Sequence, residues 1–176
     1  MCGRYSLSDA EDIPQRFSVK VKPKIKLVPN YNTAPTQVMP VVTMTEDGKR
    51  QIEMMKWGIP RILGKDLVKE LINTRADKAF GGFWRKTVCN RRCLIPANGF
   101  YEWKGSAGNK TPFFIHPKQE ELFAFAGIWD TWRSEDGHEI KVYSIMTTEP
   151  NKEMRSIHNR EPVMLHREDE ASWIEP

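Results

Sequence analysis

The sequence predicts an α+β fold in which a curved, barrel-like, mainly antiparallel β-sheet carries a few short helices. Two observations lead to this prediction. Short runs rich in apolar and β-branched residues recur along the chain between turn residues, whereas stretches with helical periodicity are brief. Many short strands with few helices are typical of barrels and sandwiches. With 176 residues and no internal repeat or linker, the chain is expected to form one domain over residues 1–176.

The strands are predicted from apolar runs bounded by turn residues. Val38–Met44 and Gln51–Trp57 are predicted to form a hairpin around the turn at Glu46–Lys49. Later strands are predicted at Cys93–Ile95, Gly99–Lys104, Pro112–His116, Leu122–Trp129, Ile140–Thr147 and Pro162–Leu165.

The predicted helices are short. Ser8 and Glu11 fit a capping box, which predicts a helix that begins at Ser8 and ends near Phe17. Further helices are predicted over Asn151–Ile157 and from about Arg167 onwards. The segment from residue 61 to residue 84 is predicted to mix helical stretches with a break at a Gly-Gly pair.

Composition limits the classes of protein to which this chain can belong. Hydrophobic residues make up 39% of the sequence and the mean hydropathy is -0.59. No run approaches 18 apolar residues, so we expect no membrane segment. Asp9, Glu11 and Asp12 come before the apolar region of a signal peptide could form. The net charge of +4 permits a polyanionic partner without requiring one.

The cysteines indicate a reducing environment. Cys2, Cys89 and Cys93 are too few for a disulfide scaffold, and we therefore expect a cytoplasmic location. Cys89 and Cys93 have the spacing of half a zinc site, but no second cysteine pair accompanies them in the sequence. We expect neither a metal nor an organic cofactor.

Cys2 is the most informative residue for function. If Met1 is removed, Cys2 carries a thiol and a free α-amine on adjacent carbons. The pKa of such an amine is about 7.7–8.0, against about 10.4 for lysine, so part of it is neutral at pH 7. The amine can attack an aldehyde to form a Schiff base, and the thiol can then close a five-membered thiazolidine ring. The alternative is an incidental cysteine at a frayed terminus.

Asn73 and Arg75 follow an apolar pair, where the pattern favours core. Asn73 could hydrogen-bond an amine or a carbonyl, and Arg75 could fork onto a phosphate. Taken alone, these residues are equally explained as a turn residue and a surface arginine.

Glu102 and His158 are candidates for proton transfer. Glu102 lies between aromatic residues on a predicted strand, where burial would raise its pKa towards neutrality. Its alternative role is that of a solvent-facing strand residue paired with Lys104. His158 lies between a predicted helix and a predicted strand, with Arg160 close by. A lone histidine of this kind is more often structural.

Together these segments resemble the SOS response-associated peptidase (SRAP) family, whose members process abasic sites in DNA. The matching motifs occur in the family's order, with similar spacing, over essentially the whole chain. One motif alone would be weak evidence, whereas the ordered set is specific. The motifs are Met1–Tyr5, Tyr31–Thr36, Trp57-Gly58, Asn73–Arg75, Arg92–Ala97, Gly99–Lys104 and Ile157–Val163.

The resemblance implies the SRAP fold and a monomeric sensor that crosslinks itself to abasic sites in single-stranded DNA during the DNA damage response. It implies that Cys2 supplies the amine and the thiol of the thiazolidine and that Asn73 holds the terminal amine. Glu102 matches the family's acid/base. His158 matches the histidine that assists proton transfer at the opened sugar and crosslink reversal.

The resemblance also assigns the partner-binding residues and two further activities. Arg4, Arg75 and Arg160 match positions that grip phosphates beside the lesion. The word peptidase refers to self-removal of Met1, for which Cys2 and Glu102 would serve again. Strand cleavage at the lesion, a lyase reaction, is a further expectation.

The sequence departs from the family pattern in three places. Asp77 stands where the family usually has Glu, and Ile62-Leu63-Gly64 stands where some members carry a Trp pair that wedges DNA bases. Relatives usually continue some tens of residues beyond the position of Pro176, so we expect the domain to lack the family's usual C-terminal tail.

Two other classes of function remain open at this point. N-terminal-nucleophile amidotransferases also begin with Cys-Gly after Met removal, and they use the thiol to attack glutamine with the α-amine as base. The second alternative is a non-catalytic nucleic-acid-binding module in which Cys2 has no role.

Overall fold

The computed structural model of the chain confirms the α+β fold, in which strands predominate and the helices are short. Met1, Gly64 and Pro176, on which sequence-based expectations rest, lie outside the described residues. The structure describes residues 2–21, 25–63, 67–106, 108–118, 121–133 and 136–175.

The strands run through most of the chain. No helix in these described ranges is both long and apolar enough to cross a membrane. The helices are α1 (Ile13–Arg16), α2 (Ala76–Ala79), α3 (Arg85–Asn90) and α4 (Glu170–Ile174), with 3-10 turns at Ala10–Asp12, Gly82–Trp84 and Met154–Ser156. The strands are β1 (Arg4–Leu7), β2 (Asn30–Thr33), β3 (Val38–Met44), β4 (Arg50–Trp57), β5 (Ile59–Leu63), β6 (Leu67–Leu71), β7 (Asn73–Arg75), β8 (Arg92–Ala97), β9 (Gly99–Ser106), β10 (Asn109–Ile115), β11 (Phe123–Arg133), β12 (Glu139–Thr148), β13 (Glu161–Pro162) and β14 (Met164–Leu165).

Five strands close a barrel in the order β12-β4-β3-β8-β11, with β11 pairing back onto β12. An odd number of strands cannot alternate direction all the way round, so one neighbouring pair must be parallel. That pair is β4 and β12, which meet at Val142 opposite Lys56 and Tyr143 opposite Trp57. Strand β7 also runs parallel to β12, further along that strand. It therefore carries Asn73 at one end of the barrel.

A second sheet, in the order β10-β9-β1-β2, packs beside the barrel. The chain passes from the barrel into this sheet at Asn98, which lies between β8 and β9. The side-chain oxygen of Asn98 accepts hydrogen bonds from the backbone N–H groups of Ser8 (2.7 Å) and Asp9 (3.2 Å). The predicted capping box at Ser8 is wrong. Asp9, and not Ser8, is the residue that precedes the 3-10 turn at Ala10–Asp12, and the Asp9 side chain makes no capping hydrogen bond.

The strand predictions agree with the structure more closely than the helix predictions do. The predicted strand Val38–Met44 coincides with β3. The predicted helix over Asn151–Ile157 is wrong, because only a 3-10 turn forms there. The side-chain oxygen of Asn151 accepts the N–H groups of Glu153 and Met154, both at 2.9 Å, as a helix N-cap does, but the turn that follows ends at Ser156. The segment 61–84 holds strands β6 and β7 and most of β5 as well as α2.

The aromatic core holds β1 in place. The ring of Tyr5 meets Trp57 edge-on at 5.2 Å and Phe125 at 6.0 Å between centroids. Its hydroxyl shares a buried hydrogen bond of 2.8 Å with the hydroxyl of Tyr143. Burial raises the pKa of both tyrosines, so both stay neutral. The first strand is thereby fixed to the barrel, which gives the N-terminal residues a defined position.

A buried ion pair joins the two ends of the described chain. Arg16 in α1 forks onto Glu170 in α4, with Nη2–Oε1 at 2.7 Å and Nη1–Oε2 at 3.1 Å. The guanidinium Nε also donates to the carbonyl of Leu122 at 2.9 Å. Both side chains are almost fully buried, so each charge depends on the other for its stability.

The first prediction tests this ion pair. We expect Glu170→Ala to lower the free energy of unfolding by about 3–5 kcal/mol, because it leaves the Arg16 charge buried and uncompensated. Urea denaturation measures the loss. Glu168→Ala removes an exposed carboxylate nearby and should change stability by less than about 0.5 kcal/mol. Equal stability of the two variants would contradict the prediction.

Candidate active site

Cys2 is buried at the start of β1 beside Glu102. The register of β1 against β9, with Arg4 opposite Tyr101 and Tyr5 opposite Phe100, brings this end of β1 to the middle of β9. Cys2 is fully buried, and its thiol donates a weak hydrogen bond to the carbonyl of Arg4 at 3.7 Å. Burial, and then the nearby negative charge of Glu102, raise the thiol pKa to about 12. The frayed-terminus alternative is therefore wrong for Cys2.

Asn73 contacts Cys2 directly. Its side-chain amide Nδ2 donates to the backbone carbonyl of Cys2 at 2.8 Å. The pairing of β7 with β12, with Asn73 opposite Ile145, fixes the position from which this side chain extends. Its Oδ1 is buried and has no hydrogen-bond partner among the described residues. Asn73 thus holds Cys2 and keeps an acceptor beside it, while its contact with the terminal amine stays a prediction.

Glu102 is a buried carboxylate on the inner face of β9. Phe100 and Glu102 point inwards, with Glu102 only 5% exposed, whereas Trp103 and Lys104 are exposed. The alternative of a solvent-facing Glu102 paired with Lys104 is therefore wrong. A carboxylate in this environment, beside a neutral thiol, is suited to accept a proton from it.

His158 lies half-buried in the loop between the 3-10 turn at Met154–Ser156 and β13. The backbone N–H of Arg160 donates to its Nδ1 at 3.1 Å. Since Nδ1 acts as an acceptor, the proton of the neutral ring is carried by Nε2. The backbone N–H of His158 donates to the carbonyl of Met154 at 2.9 Å. The orientation of the ring is therefore set by its own loop.

The three predicted phosphate-binding arginines have different surroundings. Arg4 is half-buried and donates through Nη1 to the side-chain oxygen of Asn32 at 2.9 Å. Arg75 is exposed. Arg160 is 9% exposed, and its Nη2 donates to the carbonyl of Thr147 at 2.6 Å. Phosphate binding by each of them stays a prediction.

Asp77 connects two of these arginines, a role that sequence reasoning missed. It accepts a fork from Arg75, with Nε at 3.1 Å and Nη2 at 2.7 Å, and it accepts Nη2 of Arg160 at 3.3 Å. The hydrogen bonds from Arg75 lower the pKa of Asp77 to about 2. The available signal was a carboxylate two residues after an arginine, in the first turn of a short helix.

The structure therefore brings the predicted residues into two groups that share β7. Cys2, Asn73 and Glu102 form the first group. The second contains His158, the arginines Arg75 and Arg160, and the added Asp77. Because Asn73 and Arg75 are two residues apart on β7, their side chains leave the same face of the strand. Arg4, two residues after Cys2, begins β1 at the edge of the first group.

Comparison with known proteins assigns the chain to a family. The chain belongs to the SOS response associated peptidase (SRAP) family, whose family model matches residues 1–176. The resemblance drawn from the sequence motifs is thereby confirmed.

Individual relatives support the same assignment. The abasic site processing protein YoqW of Bacillus subtilis (strain 168) is 37% identical over an alignment 183 positions long, which covers 100% of this chain and 81% of the relative. The abasic site processing protein HMCES of Gallus gallus is 30% identical over an alignment 182 positions long, which covers 84% of this chain and 54% of the relative. A crystal structure of a protein from Bacteroides thetaiotaomicron has a TM-score of 0.83 at 25% identity, over 99% of this chain and 82% of that chain.

The second prediction concerns the Cys2 thiol. At pH 8 only about one thiol in ten thousand with a pKa of 12 is ionised, so iodoacetamide should modify the exposed Cys89 long before Cys2. Glu102→Gln removes a charge that raises the Cys2 pKa, so alkylation of Cys2 should begin at lower pH. Peptide mass spectrometry from pH 7 to pH 11 measures both effects. Alkylation of Cys2 as fast as Cys89 at pH 8 would contradict the burial of the thiol.

The third prediction concerns Asp77. Its lowered pKa means that its ion pairs contribute to stability above its ordinary pKa of 3.8 and that this contribution is lost as the pH falls towards 2. In carboxyl-detected NMR, the Asp77 resonance should titrate near pH 2. Arg75→Ala should move its midpoint upwards, towards 3.8, whereas Arg133→Ala, which removes a distant surface arginine, should not. A midpoint that Arg75→Ala leaves in place would rule out the Arg75 fork as its cause.

Proposed function

We propose that this protein senses abasic sites in single-stranded DNA and, once Met1 is removed, forms a covalent crosslink with them through Cys2. The observation that carries the proposal is the burial of Cys2 between Asn73, which bonds its carbonyl at 2.8 Å, and the carboxylate of Glu102. Relatives named abasic site processing proteins support it.

The chemistry begins with the α-amine of Cys2. An abasic sugar in its ring-opened form presents an aldehyde at C1′. The neutral amine adds to the aldehyde carbon, and loss of one water leaves a Schiff base. The Cys2 sulfur then attacks the Schiff-base carbon, forming a C–S bond and closing the thiazolidine, and the nitrogen gains a proton. No oxidant, reductant or cofactor enters this balance.

Glu102 supplies the proton transfers that the buried thiol requires. A thiol with a pKa of about 12 is neutral at physiological pH and is a weak nucleophile until it loses its proton. Glu102, whose charge already acts on this thiol, takes that proton as the sulfur attacks and returns one to the nitrogen. The amine therefore reacts first and the thiol second.

Asn73 and His158 position and assist these steps. The Oδ1 of Asn73, which has no hydrogen-bond partner among the described residues, accepts an N–H of the terminal amine and directs the lone pair of the amine nitrogen at the aldehyde. His158 donates from Nε2 to the sugar oxygen as the ring opens, and it takes the same proton back when the crosslink reverses. Abstraction of a proton from C2′ of the Schiff base would eliminate the 3′ phosphate, which is the lyase reaction.

The arginines supply affinity without sequence preference. Arg4, Arg75 and Arg160 grip phosphates on either side of the lesion, and such contacts are sensitive to salt and indifferent to base identity. That suits a lesion that occurs in any sequence. Holding the aldehyde beside Cys2 raises its effective concentration. The protein acts as a monomer, and Cys2 with Glu102 also serves in the removal of Met1.

The fourth prediction tests this function. Protein with Met1 removed, as verified by mass spectrometry, is mixed with a uracil-containing single strand that uracil glycosylase has treated. A denaturing gel should show a shifted band. Cys2→Ala should abolish the band, and Glu102→Gln and His158→Ala should slow its formation or reversal by about 10²–10⁴-fold for a proton-transfer residue. Cys89→Ala is the matched control and should crosslink normally.

The outcomes separate the proposed function from its alternatives. A band in Cys2→Ala equal to that of the unmodified protein would refute the proposal. Absence of any band in the processed protein would also refute it, and glutamine hydrolysis would then be the activity to assay.

A further inference from the structure

An exposed surface beside β7 combines aromatic rings with cations. It consists of Arg61, Ile62, Val68, Phe80 and Phe83, and we call it the aromatic–basic patch. Phe80 is 63% exposed and Phe83 is 57% exposed, unlike the buried rings of the barrel. Contiguous apolar groups in water are characteristic of interaction sites. The catalytic residues of the proposed function leave this surface unused.

Phe83 is held rigidly although it is exposed. The guanidinium carbon of Arg61 lies 4.6 Å from the centroid of its ring, and Trp84 packs against it edge-on at 4.8 Å. The ring therefore loses little conformational entropy when a ligand binds, although more than half of its surface is accessible. A rigid exposed ring beside a guanidinium is the arrangement on which unpaired nucleobases stack.

The charge around the patch favours a polyanion. In the described part of 59–90 the carboxylates are Glu70 and Asp77, and both are paired: Glu70 with Lys56 at 2.8 Å, and Asp77 with Arg75. The patch itself carries Arg61. Its flanks carry further exposed cations, namely Lys69, Lys78, Arg85 and Lys86. Apolar rings among cations that form no ion pair with another described residue suit an anionic backbone that carries aromatic bases.

The patch lies within reach of the candidate active site. Asn73 contacts Cys2, and β7 leads through α2 to Phe80. Three residue steps in a strand and four in a helix place the Cα of Phe80 no more than about 16 Å from that of Asn73. A strand held at Arg75 with its lesion at Cys2 can therefore reach the patch with its neighbouring nucleotides.

We infer that Phe83 and Phe80 stack on unpaired bases of the strand that carries the lesion, with Arg61 bracing Phe83 and attracting phosphates. The inference rests on the proposed function, since it names how the same strand is held beside the lesion. Stacking is tolerant of sequence because every base has a π-face. It also favours single strands over duplexes, whose bases already stack on each other.

The fifth prediction separates bases from phosphates. Two single strands are compared, each with one central tetrahydrofuran, a non-reactive abasic analogue. One strand has normal bases on both sides, and the other has tetrahydrofuran at every flanking position as well. Both carry the same phosphates. We expect the unmodified protein to bind the strand with bases at least about tenfold more tightly.

The variants then assign that preference to the rings. Phe83→Ala and Phe80→Ala should each reduce the preference about five-fold or more, whereas Arg61→Ala should mainly lower the salt dependence of binding. Phe83→Leu keeps the apolar volume without the ring and should behave like Phe83→Ala. Phe114→Ala is the matched control, because Phe114 is 48% exposed on β10 of the other sheet, and it should keep the full preference.

Several results would overturn the inference. One is an unchanged preference in both phenylalanine variants, and another is an equal loss of affinity for the two strands. A concentration-dependent dimer that the phenylalanine variants abolish would instead assign the patch to a second copy of the chain. Because the analogue cannot crosslink, these outcomes are independent of Cys2 chemistry. The proposed function itself is tested separately. Absence of the crosslinked band in processed protein without substitutions would refute it.

Discussion

The site depends on the anchoring of β1 by the aromatic core. Chain termini usually fray, because a few contacts cannot offset the entropy of ordering them. Here β1 pairs with a strand on each side, and Tyr5 packs against Trp57 and Phe125 while its hydroxyl bonds Tyr143. Cys2 lies two residues before Arg4, where β1 begins, and is ordered because β1 is ordered. The contacts of Tyr5 therefore determine where Cys2 lies.

The polar groups beside Cys2 are unusual for a core, and the proposed function accounts for them. Glu102 is buried on β9, and Asn73 keeps a buried oxygen without a partner among the described residues. An unsatisfied buried acceptor costs about 1–3 kcal/mol. The same low-polarity surroundings that impose this cost keep the Cys2 thiol neutral. They also strengthen any interaction that a substrate makes there.

A second constraint links the arginines to the histidine. Asp77 accepts hydrogen bonds from Arg75 and Arg160, and the backbone of Arg160 orients His158. The carboxylate offsets two positive charges that would otherwise repel each other, which lets them lie close together in the free protein. Since β7 carries both Asn73 and Arg75 and pairs with β12, the residue that bonds Cys2 and the cationic group lie on one rigid framework.

The sequence by itself determined the fold class, strands such as Val38–Met44, the family, and the identities of the candidate residues. These depend on apolar periodicity and on ordered motifs, both of which are local along the chain. It predicted a helix at Asn151–Ile157, where Asn151 caps a single 3-10 turn that ends at Ser156. Only the tertiary structure decided that Glu102 is buried, that Asn73 meets Cys2, and that Asp77 joins Arg75 to Arg160. Each of these contacts depends on strand pairing between residues up to 97 positions apart, as in the pairing of Arg4–Ser6 with Gly99–Tyr101. Register and closure of this kind are set by packing in three dimensions, which no local pattern encodes.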